Sequence, residues 1–408
     1  MKIPFTNLVI GTTNETRSSS NNAFLSGAWQ SSKVNSGVSV TKENSLSIAG
    51  VYSAVKVITD SISSLPIHVM KESGNTKLKD TSHPVYPLLS REPNSLMTSF
   101  VWRQIIVPHI LLWGNAYCII EFAKGSYRPL SILPVHPSKV EVEIIDGVLM
   151  YTFKLESKTF TLDQSNVLHF RGMGNDVMGK SVIDVAAENL GLGKASEQFG
   201  SKFFGNGASM TGVLSTDSSL SDKAFTNLRT SFNDLHSGIA NANKPLILEE
   251  GLKYTSTSIP PDSAQFLETR RFSIEDIARW FSIPPDKIGD LSRATFSNLE
   301  QQNLNYVTNT LLPLTINIEE ELNRKMLRDN EKNTTYFKLN LDGLLRGDIS
   351  TRVDSYAKLI QNGVMTPNEA RTKEGMNPLE GLDNTWMQIN TAPVVDGTNQ
   401  NNESNEES

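Results

Sequence analysis

Apolar side chains recur every three or four residues in several stretches of the chain, a spacing that places them on one face of an α-helix. The first stretch runs from Ile48 to Leu65 and ends at Pro66, because proline holds the preceding residue in extended backbone. Further helices are predicted over Thr98–Trp113, Ser181–Phe204 and Ser297–Leu327. Pro313 lies inside the last of these, where its missing N–H predicts a bend.

Between residues 116 and 170 the pattern changes to short β-rich runs separated by turn residues. Strands are predicted over 116–122, 130–135, 140–145, 148–155 and 167–170, arranged as an antiparallel meander. Asp146-Gly147 between two of these runs is a strong signal for a two-residue hairpin loop. Further along, a small β-α-β unit is predicted from β-rich runs at 212–215, 245–249 and 252–257 and a helix over 221–235.

Both ends of the chain lack such periodicity. Residues 1–45 are rich in Ser, Asn, Thr and Gly and are predicted to form a flexible arm. Residues 386–408 end in a short acidic and polar run, and we predict a disordered tail there, because that run offers no apolar side chain for packing. The ordered body between them is long enough for about two or three structural units.

The charge balance limits how this chain can interact with nucleic acid. It carries 38 Lys and Arg against 44 Asp and Glu, a formal net charge of −6. Proteins that grip DNA usually carry a basic excess, since neutralising phosphates supplies most of that affinity. Any contact with DNA is therefore expected to be loose.

The apolar and cysteine content predicts a soluble protein from a reducing compartment. No apolar run approaches the ~20 residues that a membrane-spanning helix needs, and no secretory signal is visible, so no membrane partner is expected. Cys118 is the one cysteine and lies in an apolar run. An intrachain disulfide is thus impossible, and we interpret Cys118 as a buried structural thiol.

One motif suggests nucleotide chemistry. Gly174–Ser181 matches the phosphate-binding loop pattern G-x-x-x-x-G-K-[ST] and lies between a predicted strand and a predicted helix. In such a loop Lys180 would meet phosphate charge and Ser181 would bind Mg²⁺. The fold that carries this loop needs a parallel sheet, whereas the preceding runs indicate an antiparallel one. The competing interpretations are a nucleotide hydrolase and a simple turn that leads into a helix.

Other catalytic patterns do not emerge. No pair among the six histidines has zinc-site spacing, and no G-x-S-x-G is present. Glu319, Glu320 and Glu321 are consecutive, so they point around their helix, and we interpret them as a solvated face. The prediction is a protein without catalytic residues, metal or cofactor, and therefore not an enzyme.

Four longer motifs carry a family resemblance. They are the segment Glu268–Glu300 (ETRRFSIEDIARWFSIPPDKIGDLSRATFSNLE), FFGNGA at 203–208, LDGLLRGD at 341–348 and MTPNEAR at 365–371. Together they resemble the portal proteins of long-tailed, siphovirus-like double-stranded DNA phages over roughly residues 45–385. Gly179-Lys180-Ser181-Val182 departs from a commoner Gly-x-Ser-Pro arrangement at the start of the first central helix.

The resemblance implies an α+β portal fold that assembles as a ring, usually of twelve copies. Its regions are an α/β wing, a helical stem, a small β-α-β clip and a helical crown. Mapped by similarity, the wing with its antiparallel meander covers 46–180 and 299–348, the stem helices cover 181–209 and 260–284, the clip covers 210–259, the tunnel loop covers 285–298 and the crown covers 349–385.

The implied function is a channel at one capsid vertex for packaging and ejection of DNA. Implied partners are double-stranded DNA that passes non-specifically, the terminase large subunit that supplies ATPase activity, a head-completion or adaptor protein, the major capsid protein and a scaffolding protein. The expected location is the virion portal vertex, after assembly in the host cytoplasm. A structural capsid or adaptor protein without a DNA channel is the second competing hypothesis.

The resemblance also implies two groups of functional residues. Those expected in the tunnel loop, along the DNA channel, are Lys287, Asp290, Leu291, Ser292, Arg293, Ala294, Thr295 and Phe296. Those expected to dock the packaging motor at the clip are Asp222, Lys223, Arg229, Glu249, Glu250 and Lys253. For Arg293, a transient DNA phosphate contact and an intersubunit salt bridge both remain open.

Overall fold

The computed structural model describes residues 37–74, 76–156, 158–174, 177–205, 212–216, 220–236, 252–256, 274–290, 296–345 and 349–385. The chain divides into two compact units, residues 1–341 and 342–408. Most of the predicted N-terminal arm and the whole predicted tail lie outside the described residues. Within the described part, no helix is both long enough and apolar enough to cross a membrane.

The helices of the first unit follow the predicted apolar stripes closely. They are α1 (Ala49–Ser64), α2 (Tyr86–Ser90), α3 (Ser99–Trp113), α4 (Val182–Gly205), α5 (Asp222–His236), α6 (described over 274–280), α7 (Phe296–Asn305) and α8 (Leu312–Met326). The α1 stripe is buried at Val51, Val55, Ile58 and Ile62, as its spacing predicts. Thr98 caps α3 by accepting a hydrogen bond from the Val101 N–H.

Four antiparallel sheets are described. The first has the order β11-β1-β2, from Thr335–Leu339, Ile67–Ser73 and Thr76–Lys79. The second has the order β4-β3-β8, from Pro129–Val135, Asn115–Phe122 and Val167–Arg171, and the third has the order β5-β6-β7, from Val140–Ile145, Val148–Leu155 and Lys158–Asp163. β9 (Gly212–Ser215) and β10 (Lys253–Ser256) form a separate pair on either side of α5.

The predicted simple meander over 116–170 is wrong in its topology. β8 returns to pair with β3, with Tyr117 opposite His169, so the strands form two sheets. β3 is buried along nearly its whole length, and a strand buried on both faces takes a central position with a partner on each side. The structure also adds β7, whose alternating pattern with Phe160 inward was missed. The hairpin at Asp146-Gly147 is confirmed, with φ of 51° and 79°.

Helix α8 connects the outer edges of two sheets through its polar side chains. On one side it meets β8, an edge strand whose outward backbone groups have no strand partner among the described residues. Glu321 Oε1 accepts from the His169 N–H at 3.0 Å, Lys325 Nζ donates to the Val167 carbonyl at 3.0 Å, and Asn317 Nδ2 donates to the Arg171 carbonyl.

On its other side α8 meets β11, the edge strand of the first sheet. Glu319 Oε1 accepts from the Leu339 N–H at 2.7 Å, and its Oε2 accepts from Lys338 Nζ at 3.0 Å. Asn323 Oδ1 accepts from the Phe337 N–H at 2.7 Å. The helix therefore supplies hydrogen-bond partners to two strand edges at once.

The expected solvated face at Glu319–Glu321 is accordingly wrong for two of its three residues. Glu319 and Glu321 are buried, at 6% and 8% exposed, and only Glu320 faces solvent. Their burial follows from the edge strands beside them, because unpaired backbone N–H groups need acceptors when they are removed from water.

The long helix predicted over Ser297–Leu327 contains a π-helical segment at Tyr306–Leu311. The segment ends two residues before Pro313, which removes one helical N–H donor and crowds the carbonyl four residues earlier. A wider turn accommodates both effects. The helix begins at Phe296, so this residue of the predicted tunnel loop lies in the first turn of α7.

The second unit consists of short helices in its described part. These are α9 (Asp342–Leu345), α10 (Ile349–Gln361) and α11 (Pro367–Lys373). Thr366 and Glu369 form a reciprocal capping box at the start of α11, and Pro367 occupies the first helical position. The predicted crown, 349–385, falls within this unit.

Candidate functional site

The described part of the Gly174–Ser181 segment, residues 174 and 177–181, is tightly packed between β8 and α4. Gly179 lies against the backbone of Gly114, where an added Cβ would stand 2.0 Å from the Gly114 carbonyl oxygen. Gly114 ends α3 in the left-handed region, with φ of 73°. The glycine at 179 is therefore required by a close approach of two backbones.

Two of the backbone N–H donors that a phosphate-binding loop would use, those of Gly179 and Lys180, are already hydrogen-bonded within the chain. The Gly179 N–H donates to Asn115 Oδ1 at 2.8 Å, and Asn115 Nδ2 donates back to the Gly179 carbonyl at 2.8 Å. The Lys180 N–H donates to the Met173 carbonyl at 2.8 Å. A phosphate cradle requires such N–H groups to point into open space.

The Ser181 hydroxyl is also hydrogen-bonded within the chain. Its hydroxyl donates to the Leu112 carbonyl and accepts from the Asp184 N–H at 3.1 Å, which caps α4. The residue is 3% exposed. Because β8 also belongs to an antiparallel sheet, the structure favours the simple turn over the nucleotide-binding loop.

A buried polar network supports this turn. His169 Nε2 lies 3.0 Å from Asn115 Oδ1, and His169 Nδ1 lies 3.2 Å from the Tyr151 hydroxyl. Burial, reinforced by nearby positive charge at Arg171, lowers the pKa of His169 to about 3. The imidazole is thus neutral near pH 7, donating from Nε2 and accepting at Nδ1. Sequence reasoning missed this network because its members lie far apart in the chain.

Cys118 is confirmed as a buried free thiol. Burial raises the pKa of that thiol well above its usual range, which leaves it protonated and unreactive. Among the described residues no group of three or more His, Cys, Asp or Glu is placed to hold a metal ion.

The structure describes three of the eight predicted channel residues. Lys287 and Asp290 lie at the 3₁₀ turn Pro285–Ile288 and just after it, and Phe296 begins α7. Leu291, Ser292, Arg293, Ala294 and Thr295 lie outside the described residues. Lys287 Nζ donates to Asn303 Oδ1 on α7 and stands 5.9 Å from the Tyr306 ring.

The four predicted motor-docking residues that the structure describes lie on α5 and β10. Asp222 and Lys223 are exposed in the first turn of α5, and Lys253 is exposed on β10, opposite Ser215 of β9. Arg229 lies further along α5. The other two, Glu249 and Glu250, lie outside the described residues.

An apolar stripe runs along the outer face of α4. Val185, Leu192 and Phe199 follow one another at intervals of seven residues and are 46%, 61% and 56% exposed. Residues seven apart lie on one face of a helix, in the spacing that two packed helices share. Nothing among the described residues covers Val185 and Leu192 to the level of burial.

Comparison with known proteins gives matches over most of the chain. The family model described as "Phage portal protein" matches residues 49–375. The portal protein of Enterobacteria phage HK97 is 29% identical over 369 residues, which cover 89% of this chain and 87% of that protein. The probable portal protein of Streptomyces phage phiC31 is 29% identical over 360 residues, 85% of this chain and 79% of that protein.

Solved structures show the same fold. The crystal structure of an HK97-family phage portal protein from Corynebacterium diphtheriae matches with a TM-score of 0.58 at 16% identity, over 76% of this chain and 97% of that one. A chain from the neck of a native gene transfer agent particle, computed with C12 symmetry, matches with a TM-score of 0.55 at 20% identity, over 85% and 97% of the two chains.

Proposed function

Because this chain belongs to the phage portal protein family, we propose that it forms a ring-shaped channel at one capsid vertex. Double-stranded DNA passes through the channel during packaging and again during ejection. The observation that carries the proposal is a family match over residues 49–375, joined to a mixed α/β fold shared with solved portal chains. The family is a structural one, in agreement with a role that is not enzymatic.

The proposed ring contains twelve copies. Related chains occur in particle necks computed with C12 and with C6 symmetry. A closed ring needs head-to-tail contacts between different surfaces of each copy. The stripe at Val185, Leu192 and Phe199 is suited to one half of such a contact, because it offers apolar area on a long helix.

DNA contact in the proposed channel is loose and independent of sequence. Each copy carries a formal net charge of −6, and a ring repeats that charge around its axis. Attraction to phosphates is then too weak to hold a moving duplex. Residues 285–298 form the proposed tunnel loop, with Lys287 and Arg293 as its cations; Arg293 serves either a phosphate or a neighbouring subunit.

The other proposed partners meet the ring at different stages. The terminase large subunit and later a head-completion or adaptor protein dock at the clip, 210–259, where Asp222, Lys223 and Lys253 are exposed. The major capsid and scaffolding proteins surround the ring during assembly in the host cytoplasm. The finished protein resides at the portal vertex of the virion.

Electron microscopy of the purified chain tests the proposal. We expect end-on rings with an axial hole at least as wide as a DNA duplex. Holeless oligomers under several salt conditions would support an adaptor protein instead. ATP binding that is lost in Lys180→Ala would support the nucleotide hydrolase, against the committed donors at Gly179 and Lys180.

A further inference from the structure

An open pocket of about 510 Å³ lies where the end of α6, the 3₁₀ turn Pro285–Ile288 and α7 meet the π-helical segment. Its lining is rich in oxygen-bearing side chains. They include Glu275, Asp286, Asp290, Gln302, Asn305 and Asn309. A pocket with this lining attracts hydrogen-bond donors and positive charge.

Two buried acceptor atoms on residues that line this pocket have no hydrogen-bond donor among the described residues. They are Asp286 Oδ1 and Gln302 Oε1. The Asp286 side chain is only 8% exposed, and a buried carboxylate oxygen without a donor carries a substantial desolvation cost. Because the terminal torsion of an aspartate is soft, a small rotation turns either oxygen toward an arriving donor.

The two described cations near the pocket, Arg279 and Lys287, are engaged elsewhere. Lys287 Nζ donates to Asn303 Oδ1 and lies 3.9 Å from Asp286 Oδ2, beyond hydrogen-bond distance. Arg279 NH1 donates to Asp276 Oδ1 at 2.6 Å, and its NH2 lies 3.6 Å from Glu275 Oε2. Neither cation donates a hydrogen bond to Asp286 Oδ1.

We propose that this pocket receives an arginine or lysine side chain from the adjacent copy in the ring. The proposal rests on the ring assembly proposed above. A side chain fits better than a metal ion, because the described residues offer no cluster of three metal ligands and the volume far exceeds what one ion fills. A guanidinium or ammonium group supplies several donors to a carboxylate and an amide oxygen together.

The test compares rings of the full chain by native mass spectrometry at rising NaCl concentration. Asp286→Asn removes the charge and keeps the shape, Asp286→Glu restores the charge, and Glu320→Gln removes an exposed acid elsewhere as a matched control. We expect Asp286→Asn to weaken subunit association at least tenfold, Asp286→Glu to recover part of it, and Glu320→Gln to match wild type. Thermal unfolding of dissociated subunits should be nearly the same for all four proteins.

Four results would overturn the proposal. Asp286→Asn rings that resist salt as well as wild-type rings would show that the pocket is not an intersubunit contact. The portal assignment would still stand. A dissociated Asp286→Asn subunit that loses as much stability as its ring would assign Asp286 a role within one chain. Rings that dissociate in EDTA and reform with Mg²⁺ alone would assign the pocket to a metal ion. If the wild-type chain forms no ring, both proposals fail together.

Discussion

The side-chain amide of Asn115 pairs with both backbone polar groups of Gly179, donating to its carbonyl at 2.8 Å and accepting from its N–H at 2.8 Å. The side chain of Asn115 thus makes the two hydrogen bonds that a neighbouring strand would otherwise make to the backbone of Gly179. The same Oδ1 also lies 3.0 Å from His169 Nε2, which links the turn to β8.

Asn115→Ala should lower the free energy of unfolding by about 3 kcal/mol. It removes these hydrogen bonds and leaves buried polar groups on Gly179 and His169 without a partner. Urea denaturation of dissociated subunits measures the change. Asn330→Ala, at an exposed position, is the control and should stay within about 0.5 kcal/mol of wild type. Equal stability of the two variants would contradict the pairing.

Glu319→Gln and Glu321→Gln should each cost about 1–3 kcal/mol of unfolding free energy, since a charged acceptor of a buried backbone N–H is replaced by a neutral amide. Glu320→Gln, on the exposed residue between them, should cost far less. The comparison uses three consecutive glutamates and the same substitution, with chemical denaturation as the measurement. A larger effect at Glu320 than at its neighbours would rule out the bridging role of α8.

Acid should destabilise the subunit well before its carboxylates protonate. Burial lowers the pKa of His169 from 6.5 to about 3 and that of His109 to about 4. Below pH 6.5 these histidines bind protons in the unfolded chain but not in the folded chain. Their contribution to the free energy of unfolding is therefore fully present above that pH. It falls as pH drops toward the folded pKa values, by about 1.4 kcal/mol per pH unit for each group.

Denaturation of dissociated subunits at pH 7 and pH 5 measures this slope. His169→Gln removes one of the two groups, so the stability difference between the two pH values should shrink by about 2 kcal/mol. The variant is less stable at pH 7, because it loses contacts to Asn115 and Tyr151. An unchanged slope would mean that His169 accepts a proton in the folded chain.

Leu192→Glu should prevent ring closure and leave the subunit folded, because a charge at the centre of the α4 stripe must lose its water when two copies meet. Leu78→Glu is the control, since Leu78 on β2 has nearly the same exposure, 60% against 61%. Size-exclusion chromatography with light scattering separates rings from subunits. Rings from Leu192→Glu in wild-type yield would remove α4 from the proposed interface.

Elements whose cause is local could be predicted from the sequence. The stripe from Ile48 to Leu65 and the hairpin at Asp146-Gly147 need only their own residues, and both are confirmed. The pairing of β8 with β3 was missed, because it joins His169 to Tyr117 across β4, β5, β6 and β7. The prediction of a solvated face on α8 was wrong for the same reason, since the donor to Glu321 is the N–H of His169, 152 residues away in the chain.

The candidate site shows the same limit. Gly174–Ser181 satisfies a phosphate-loop pattern residue by residue, and the local sequence contains nothing that refutes it. The Gly179 N–H donates its hydrogen bond to Asn115, 64 positions earlier in the chain. Only the fold shows that the Gly179 and Lys180 donors are used. The family resemblance at 268–300 and 365–371, by contrast, identified the protein without the fold.

The bridging helix α8 has a consequence for crowding. An exposed strand edge is a template on which another chain can add a strand, and this leads to aggregation. Assembly at a vertex would bring many copies of the same edges close together. With β8 and β11 hydrogen-bonded to the side chains of α8, neither edge is free to recruit a foreign strand, and the edge strand β2 carries Lys77 and Lys79, whose charge discourages pairing. Crowded copies are therefore hindered from adding strands at β8, β11 and β2.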